Sequence, residues 1–264
     1  MLEKLSNRLA LISFDLLPAA TVHKAKIALL NYIGGCLAGS DAPAVLAERA
    51  LWTALDGGGP CSVIGQKGRL SPLAAAAVNA AMGQVFLQED CHERTLSHPG
   101  VVVLPTALAL GQALHRSGKQ LIEGIVCGYE AQGRIGRALI RPGFADHGLR
   151  PAALLGPFGS SSAAAKLLGL DAGGIRAALS IAGNLCSGVM ECSIAGTEDM
   201  CIQNCYSVKN GIQAALEAQA GMHGAFSILE GRFGVGRAFT RGACDWSVLG
   251  EADAYEIDDT FIKT

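Results

Sequence analysis

Between Glu89 and His98 the run Glu-Asp-Cys-His-Glu-Arg-Thr-Leu-Ser-His sets three carboxylates, two imidazoles and a thiol within ten residues. Carboxylates and histidines crowded together push one another's pKa values apart, so one group holds a proton while its neighbour accepts one. Such a set suits proton transfer beside a carboxylate. Eliminating water there needs a base for the carbon-bound proton and an acid for the departing hydroxyl, and decarboxylation needs a proton donor to carbon. A solvated polar loop is the other reading of the same residues.

Other reactive side chains point to less. Cys186, Cys192, Cys201 and Cys205 follow one another with five, eight and three residues between them, without the paired C-x-x-C knuckles of common zinc sites. They read as buried thiols, and no metal is expected. The nine cysteines are an odd number, which does not suit a disulfide framework, so a reducing, cytoplasmic setting is expected. Gly231-Arg-Phe-Gly-Val-Gly236 has no Lys-Ser/Thr after it and no strand before it, so it is not a phosphate loop. His23 and His115 are placed on helix faces with no special role.

The chain that must position the acidic loop has 264 residues, half of them apolar and 17% charged, which excludes disorder. A net charge of −2 gives no footprint for nucleic acid or an anionic membrane. The longest apolar stretch, Val101–Leu114, is interrupted by Pro105, Gly111 and Gln112 and is too short to span a bilayer. No signal peptide is apparent at the N-terminus.

The periodicity predicts helices almost throughout. Thr21 is read as the cap of a helix over Val22–Leu37 with glycines at its end. A helix over Ala44–Leu55 stops at a Gly-Gly-Gly-Pro turn, and Cys61–Ile64 reads as a short extended piece. Ser71-Pro72 opens an alanine-rich helix in the preferred order, cap then proline, to about Leu87. After the loop, helices are expected over Val103–His115, Gln120–Arg137, Ala152–Leu168, Gly174–Cys186 and Val208–Gly221, and an extended element over Tyr255–Lys263. The expected fold is all-α, a multi-helix bundle forming one domain over residues 1–264.

Several segments together resemble the MmgE/PrpD family of 2-methylcitrate dehydratases and cis-aconitate decarboxylases. They are Ile33-Gly-Gly-Cys-Leu-Ala-Gly-Ser40, Ser71-Pro-Leu-Ala-Ala-Ala-Ala-Val-Asn79, His98-Pro-Gly100 with Leu104-Pro105, Gly128-Tyr-Glu130 with Arg134-Ile135, Leu155-Gly-Pro-Phe-Gly159 before Ala163–Leu170, Asn210-Gly211, and Leu229-Glu-Gly231. They run in the family's order over nearly the whole chain. Singly, each short Gly/Ala pattern also reads as a packing contact.

The resemblance implies the helical domain of that family, with its inserted lid domain and last helices absent from this sequence. It implies a cofactor-independent lyase acting on a small di- or tricarboxylate, with an epimerase of a dicarboxylate as a near variant. A non-catalytic scaffold or partner subunit is the rival reading. His98 and Asp90 would handle protons, His92 would assist, and Arg150 and Lys209 would hold carboxylates. Lys209 equally suits an exposed charge, and Arg150 a surface arginine after a turn. Three family positions are changed: an acid is replaced by Leu87, a histidine by Arg150 and a lysine by Met200. Arginine forks a carboxylate well but does not shuttle protons near neutral pH. The resemblance further implies a homodimer and allows a separate lid-bearing chain.

Overall fold

The computed structural model describes residues 1–251 and 254–263, with the side chains of Ala145 and His147 left aside. In chain order it comprises α1 (Leu2–Ala10), α2 (Ala19–Gly39), α3 (Pro43–Asp56), β1 (Cys61–Ser62), β2 (Arg69–Leu70), α4 (Pro72–Gln84), β3 (Asp90–His92), α5 (Gly100–Ala113) and α6 (Gly118–Leu139). There follow α7 (Pro151–Leu168), α8 (Ala172–Ala182), α9 (Glu191–Ala195), α10 (Asp199–Gln219), α11 (Val235–Thr240) and β4 (Thr260–Ile262). The fold is all-α, with two small antiparallel ribbons, β1–β2 and β3–β4.

Local chemistry sets several helix ends. Ser71 accepts from the Ala74 amide at 3.3 Å with Pro72 at the first helical position, and Ser117 and Gln120 form a reciprocal capping box at the start of α6. Gly57 ends α3 in the left-handed conformation, φ 69°. Several expectations shift: α8 ends at Ala182 and not Cys186, α4 at Gln84 and not Leu87, and of Tyr255–Lys263 only Thr260–Ile262 is a strand, after a 3-10 turn over Glu256–Asp259. The α2 helix starts two residues before Thr21, which is buried and instead donates from Oγ1 to Asp258 at 2.8 Å. The α10 helix starts at Asp199, nine residues before Val208. His115 lies just past α5, in the turn to α6.

Helices α4, α5, α6 and α7 are buried on almost every side, and α10 packs across α4, α7 and α8. Alanine and glycine make that closeness achievable. A Cβ on Gly128 of α6 would stand 2.9 Å from the Gly159 carbonyl of α7, so a larger residue there would force the two helices apart. Pro157 inside α7 leaves the Ala153 carbonyl without its helical donor, and Ser207 of α10 donates to it at 3.2 Å. Asn79 of α4 does similar work, donating to Ser62 O at 3.1 Å and accepting from Ile64 N at 3.0 Å, which holds the β1 segment in place.

A buried ion cluster fastens the C-terminal segment to this core. Glu130 and Arg134, both fully buried on α6, pair with each other, and Arg8 of α1 reaches the same Glu130 oxygen. The Glu256 amide donates to the other Glu130 oxygen at 3.0 Å, and Arg137 bonds Glu256 at 2.9 Å. The segment thus anchored delivers β4 to β3, with Asp90 opposite Ile262 and His92 opposite Thr260.

Candidate active site

The acidic loop is built rather than loose. Leu87 and Leu96 flank it in the left-handed region, φ 55° and 48°. That conformation is costly for leucine and persists only where surrounding contacts enforce it. Between them β3 alternates inward and outward: Asp90 and His92 are buried, and Cys91 faces the rim.

Asp90 accepts from the Gly100 amide through Oδ1 at 3.0 Å. A Cβ on residue 100 would collide with that carboxylate, so the glycine of His98-Pro-Gly100 is required by the approach itself. The Tyr129 hydroxyl lies beside Asp90, though without full hydrogen-bond geometry, and Asp90 Oδ2 is buried without a partner. Burial pushes the Asp90 pKa up to about 6, opposed by Tyr129 and the Gly100 amide.

His98 holds its ring by Nδ1, 3.1 Å from the Asp90 carbonyl and 3.6 Å from Glu89 Oε1. Its pKa is lowered, first by burial, with Lys263 and Arg150 adding to the effect and Glu89 opposing it. Glu89 is itself buried. Its Oε1 takes Lys263 Nζ at 3.0 Å and Gln84 Nε2 at 3.4 Å, while its Oε2 has no hydrogen-bond partner.

Arg150, the residue just before α7, completes the cluster. Its Nη2 donates to Gln84 Oε1 at 3.2 Å, and its Nη1 reaches Asn204 Oδ1 at 3.1 Å and Met200 O at 3.2 Å. All these acceptors are neutral, and no carboxylate lies within ion-pair distance of Arg150 among the described residues. A guanidinium only 5% exposed and lacking a counter-ion is poised for an anion. Its pKa is lowered, chiefly by burial. Asp90, His98 and Arg150 are therefore linked through Glu89 and Gln84, and the cluster meets solvent at His98 and Lys263, 22% and 30% exposed.

The other two candidates sit elsewhere. His92 is fully buried, with Nδ1 3.0 Å from Thr95 Oγ1 and Nε2 3.1 Å from Glu256 Oε2, so both nitrogens face groups that hold the loop to the C-terminal segment. Lys209 lies over the rings of Trp52 and Tyr206, at 5.0 and 4.8 Å, on a face of α10 away from Asn204. Its charge is used in cation–π contact. Gln84, Asn204 and Lys263 were not singled out in the sequence. Lys263, in the expected extended end segment, is the one for which a signal existed.

His92, Glu256 and Asp259 bring ligand-type atoms within 4.8 Å of one another. A divalent ion there would face Arg94, paired with Asp259 at 3.3 Å, and Arg137, paired with Glu256. These carboxylates already have cations. The thiols do not converge either: Cys186, Cys192 and Cys205 each turn to a different backbone carbonyl.

A pH titration checks the environment of Asp90. Its carboxyl binds the proton more tightly folded than unfolded, so its contribution to stability is complete below about pH 4 and is lost as pH rises through about 6. Two pKa units correspond to roughly 3 kcal/mol. Asp90→Asn is expected to unfold at a higher temperature than the parent at pH 7.5, the gap closing towards pH 4. A gap independent of pH would show that Asp90 titrates normally.

Comparison with known proteins agrees with this architecture. The family description "MmgE/PrpD N-terminal domain" matches residues 3–246. The chain is 28% identical over 237 residues to a cis-aconitate decarboxylase of Aspergillus terreus, covering 88% of this chain and 48% of that protein. It is 30% identical over 228 residues to the cis-aconitate decarboxylase-like protein oryM of Aspergillus oryzae, covering 83% and 46%. With the human cis-aconitate decarboxylase it shares 34% over 173 residues, 64% of this chain and 35% of that protein. The chain spans about half the length of the Aspergillus relatives it matches. A match over nearly its whole length places this chain in the MmgE/PrpD family, as the N-terminal helical domain.

Proposed function

We propose that the chain supplies the helical part of a lyase site for a small di- or tricarboxylate, working by proton transfer at His98 and Asp90 without a metal or cofactor. The observation that carries this reading is the buried Arg150 guanidinium, which has no carboxylate partner and joins the His98–Glu89 pair through Gln84. Arg150 would fork one substrate carboxylate. In dehydration, His98, neutral because of its lowered pKa, would take the proton from carbon; in decarboxylation its part-exposed ring would pick up a proton from solvent and pass it to the carbon that loses CO2. Asp90 would hold the loop that carries His98 and, with its pKa raised to about 6, would be the second group exchanging protons. Lys263 would neutralise a second carboxylate or the developing negative charge.

The relatives named as cis-aconitate decarboxylases favour decarboxylation over dehydration or epimerisation. Binding is expected to exceed turnover in this chain, because Arg150 and Met200 replace groups able to exchange protons. Incubating it with cis-aconitate, citrate and 2-methylcitrate under proton NMR, beside calorimetry on the same sample, tests this. Absence of binding by all three would overturn the reading.

A non-catalytic partner subunit is the second reading. It is favoured by the burial of His92 between Thr95 and Glu256, and by the neutral protein acceptors already on Arg150 Nη1. A homodimer belongs to either reading. The exposed Leu30 and Leu37 of α2, and Leu51 and Leu55 of α3, support it. Light scattering at micromolar concentration is expected to return twice the chain mass.

A further inference from the structure

We propose that the cleft between the β1–β2 ribbon and the α5–α6 turn binds a small organic oxyanion, a phosphate or carboxylate head on an apolar body. The cleft measures about 540 Å³, the size of an ordinary small-molecule site. Arg69 from the ribbon and Arg116 from the turn supply its positive charge, His115 lines it beside them, and Leu108 and Leu121 form the apolar part. It shares no residue with the cluster around His98, and so stands independently of the function proposed above.

The charge balance of this cleft is the main argument. The chain carries 23 acidic residues, and none of them lines it. On another face, Arg8, Arg94 and Arg137 each meet a carboxylate. Arg69 and Arg116 meet none among the described residues. Arg69 Nη1 donates to Pro60 O at 2.5 Å and Arg116 Nε to Leu167 O at 2.7 Å. These bonds orient the two guanidinium planes and leave most of their five N–H donors uncommitted. Arg116 also borders a second hollow beside Glu123 and Lys166, and an oxyanion in the cleft would take charge-assisted hydrogen bonds from the donors that these bonds leave free.

The backbone adds to this. Helix α6 begins in the same wall at Gly118. Ser117 caps only the Gln120 amide, at 3.3 Å, so the amides of Gly118 and Lys119 have no intrahelical acceptor. His115 takes a left-handed conformation, φ 52°, at the position after α5 where glycine is commonest. An imidazole is thus carried to the cleft at a conformational cost that glycine would avoid.

Calorimetric titration of the full chain with phenyl phosphate and with phenylacetate tests the assignment, with benzyl alcohol as the uncharged control. At least one anion is expected to bind more tightly than the alcohol, and the tighter of the two identifies the head group. Arg69→Gln, at an exposed position, is expected to weaken that binding roughly 10–100-fold. Arg116→Gln is expected to do the same, with circular dichroism confirming that its fold survives loss of the Leu167 bond. Arg150→Gln, which is expected to weaken carboxylate binding at the other site, is expected to leave this affinity unchanged, which separates the two sites. Binding no tighter than benzyl alcohol, or insensitive to Arg69→Gln, or abolished by Arg150→Gln, would overturn the proposal.

Discussion

His98→Ala is expected to lower any turnover of cis-aconitate by about 10²–10⁴-fold, the usual worth of a positioned general acid or base. Calorimetric affinity for the same acid should change little. The separation follows from geometry. His98 is anchored by the Asp90 carbonyl and Glu89 at one nitrogen and is partly exposed, whereas the buried cation Arg150 lies across Gln84 and, in the function proposed above, would supply the attraction for a carboxylate. Removing the imidazole leaves that attraction in place and takes away the proton carrier. Arg150→Gln should do the reverse, weakening binding by roughly tenfold or more, since a charge-assisted fork is replaced by neutral contacts. The check is to measure turnover by proton NMR and binding by calorimetry on each variant. Equal turnover in parent and His98→Ala would remove the imidazole from the mechanism.

Glu130→Gln is expected to cost about 3–5 kcal/mol of stability, the usual effect of removing one member of a buried ion pair. Arg134 beside it is fully buried, and Arg8 reaches the same carboxylate from α1. Glutamine can still accept a hydrogen bond, but it leaves these guanidiniums without their shared charge. The Glu256 amide also bonds Glu130, so the defect should spread to the C-terminal segment and to the β3–β4 pairing that carries Lys263 to Glu89. Urea unfolding measures the first effect. Faster amide exchange at Cys91 and Phe261 measures the second. A loss below 1 kcal/mol would mean that water reaches these arginines and the cluster is not truly dry.

The helical class, several helix boundaries and the place of the acidic loop were legible in the sequence because local chemistry decides them. Apolar spacing, Ser71-Pro72 before α4, Gly57 after α3 and the grouping of Glu89, Asp90 and His98 all act over a few residues. What each reactive side chain faces was decided by packing. Thr21 resembles a cap locally, yet α2 begins earlier and buries it against Asp258. Asp90 to His92 carry no alternation long enough to mark a strand, and they form one because Thr260 to Ile262 arrive from the other end of the chain. Lys263 meets Glu89 across 174 positions, a separation that no window of sequence can register. Gln84 and Asn204 look like ordinary helix polars until α4 and α10 cross and turn them onto Arg150. His92 and Lys209 carry the right chemistry, but His92 is buried beside Glu256 and the charge of Lys209 lies over the rings of Trp52 and Tyr206. Residue type sets what a side chain is able to do, and the long-range contacts that bury or expose it select which of those abilities is used.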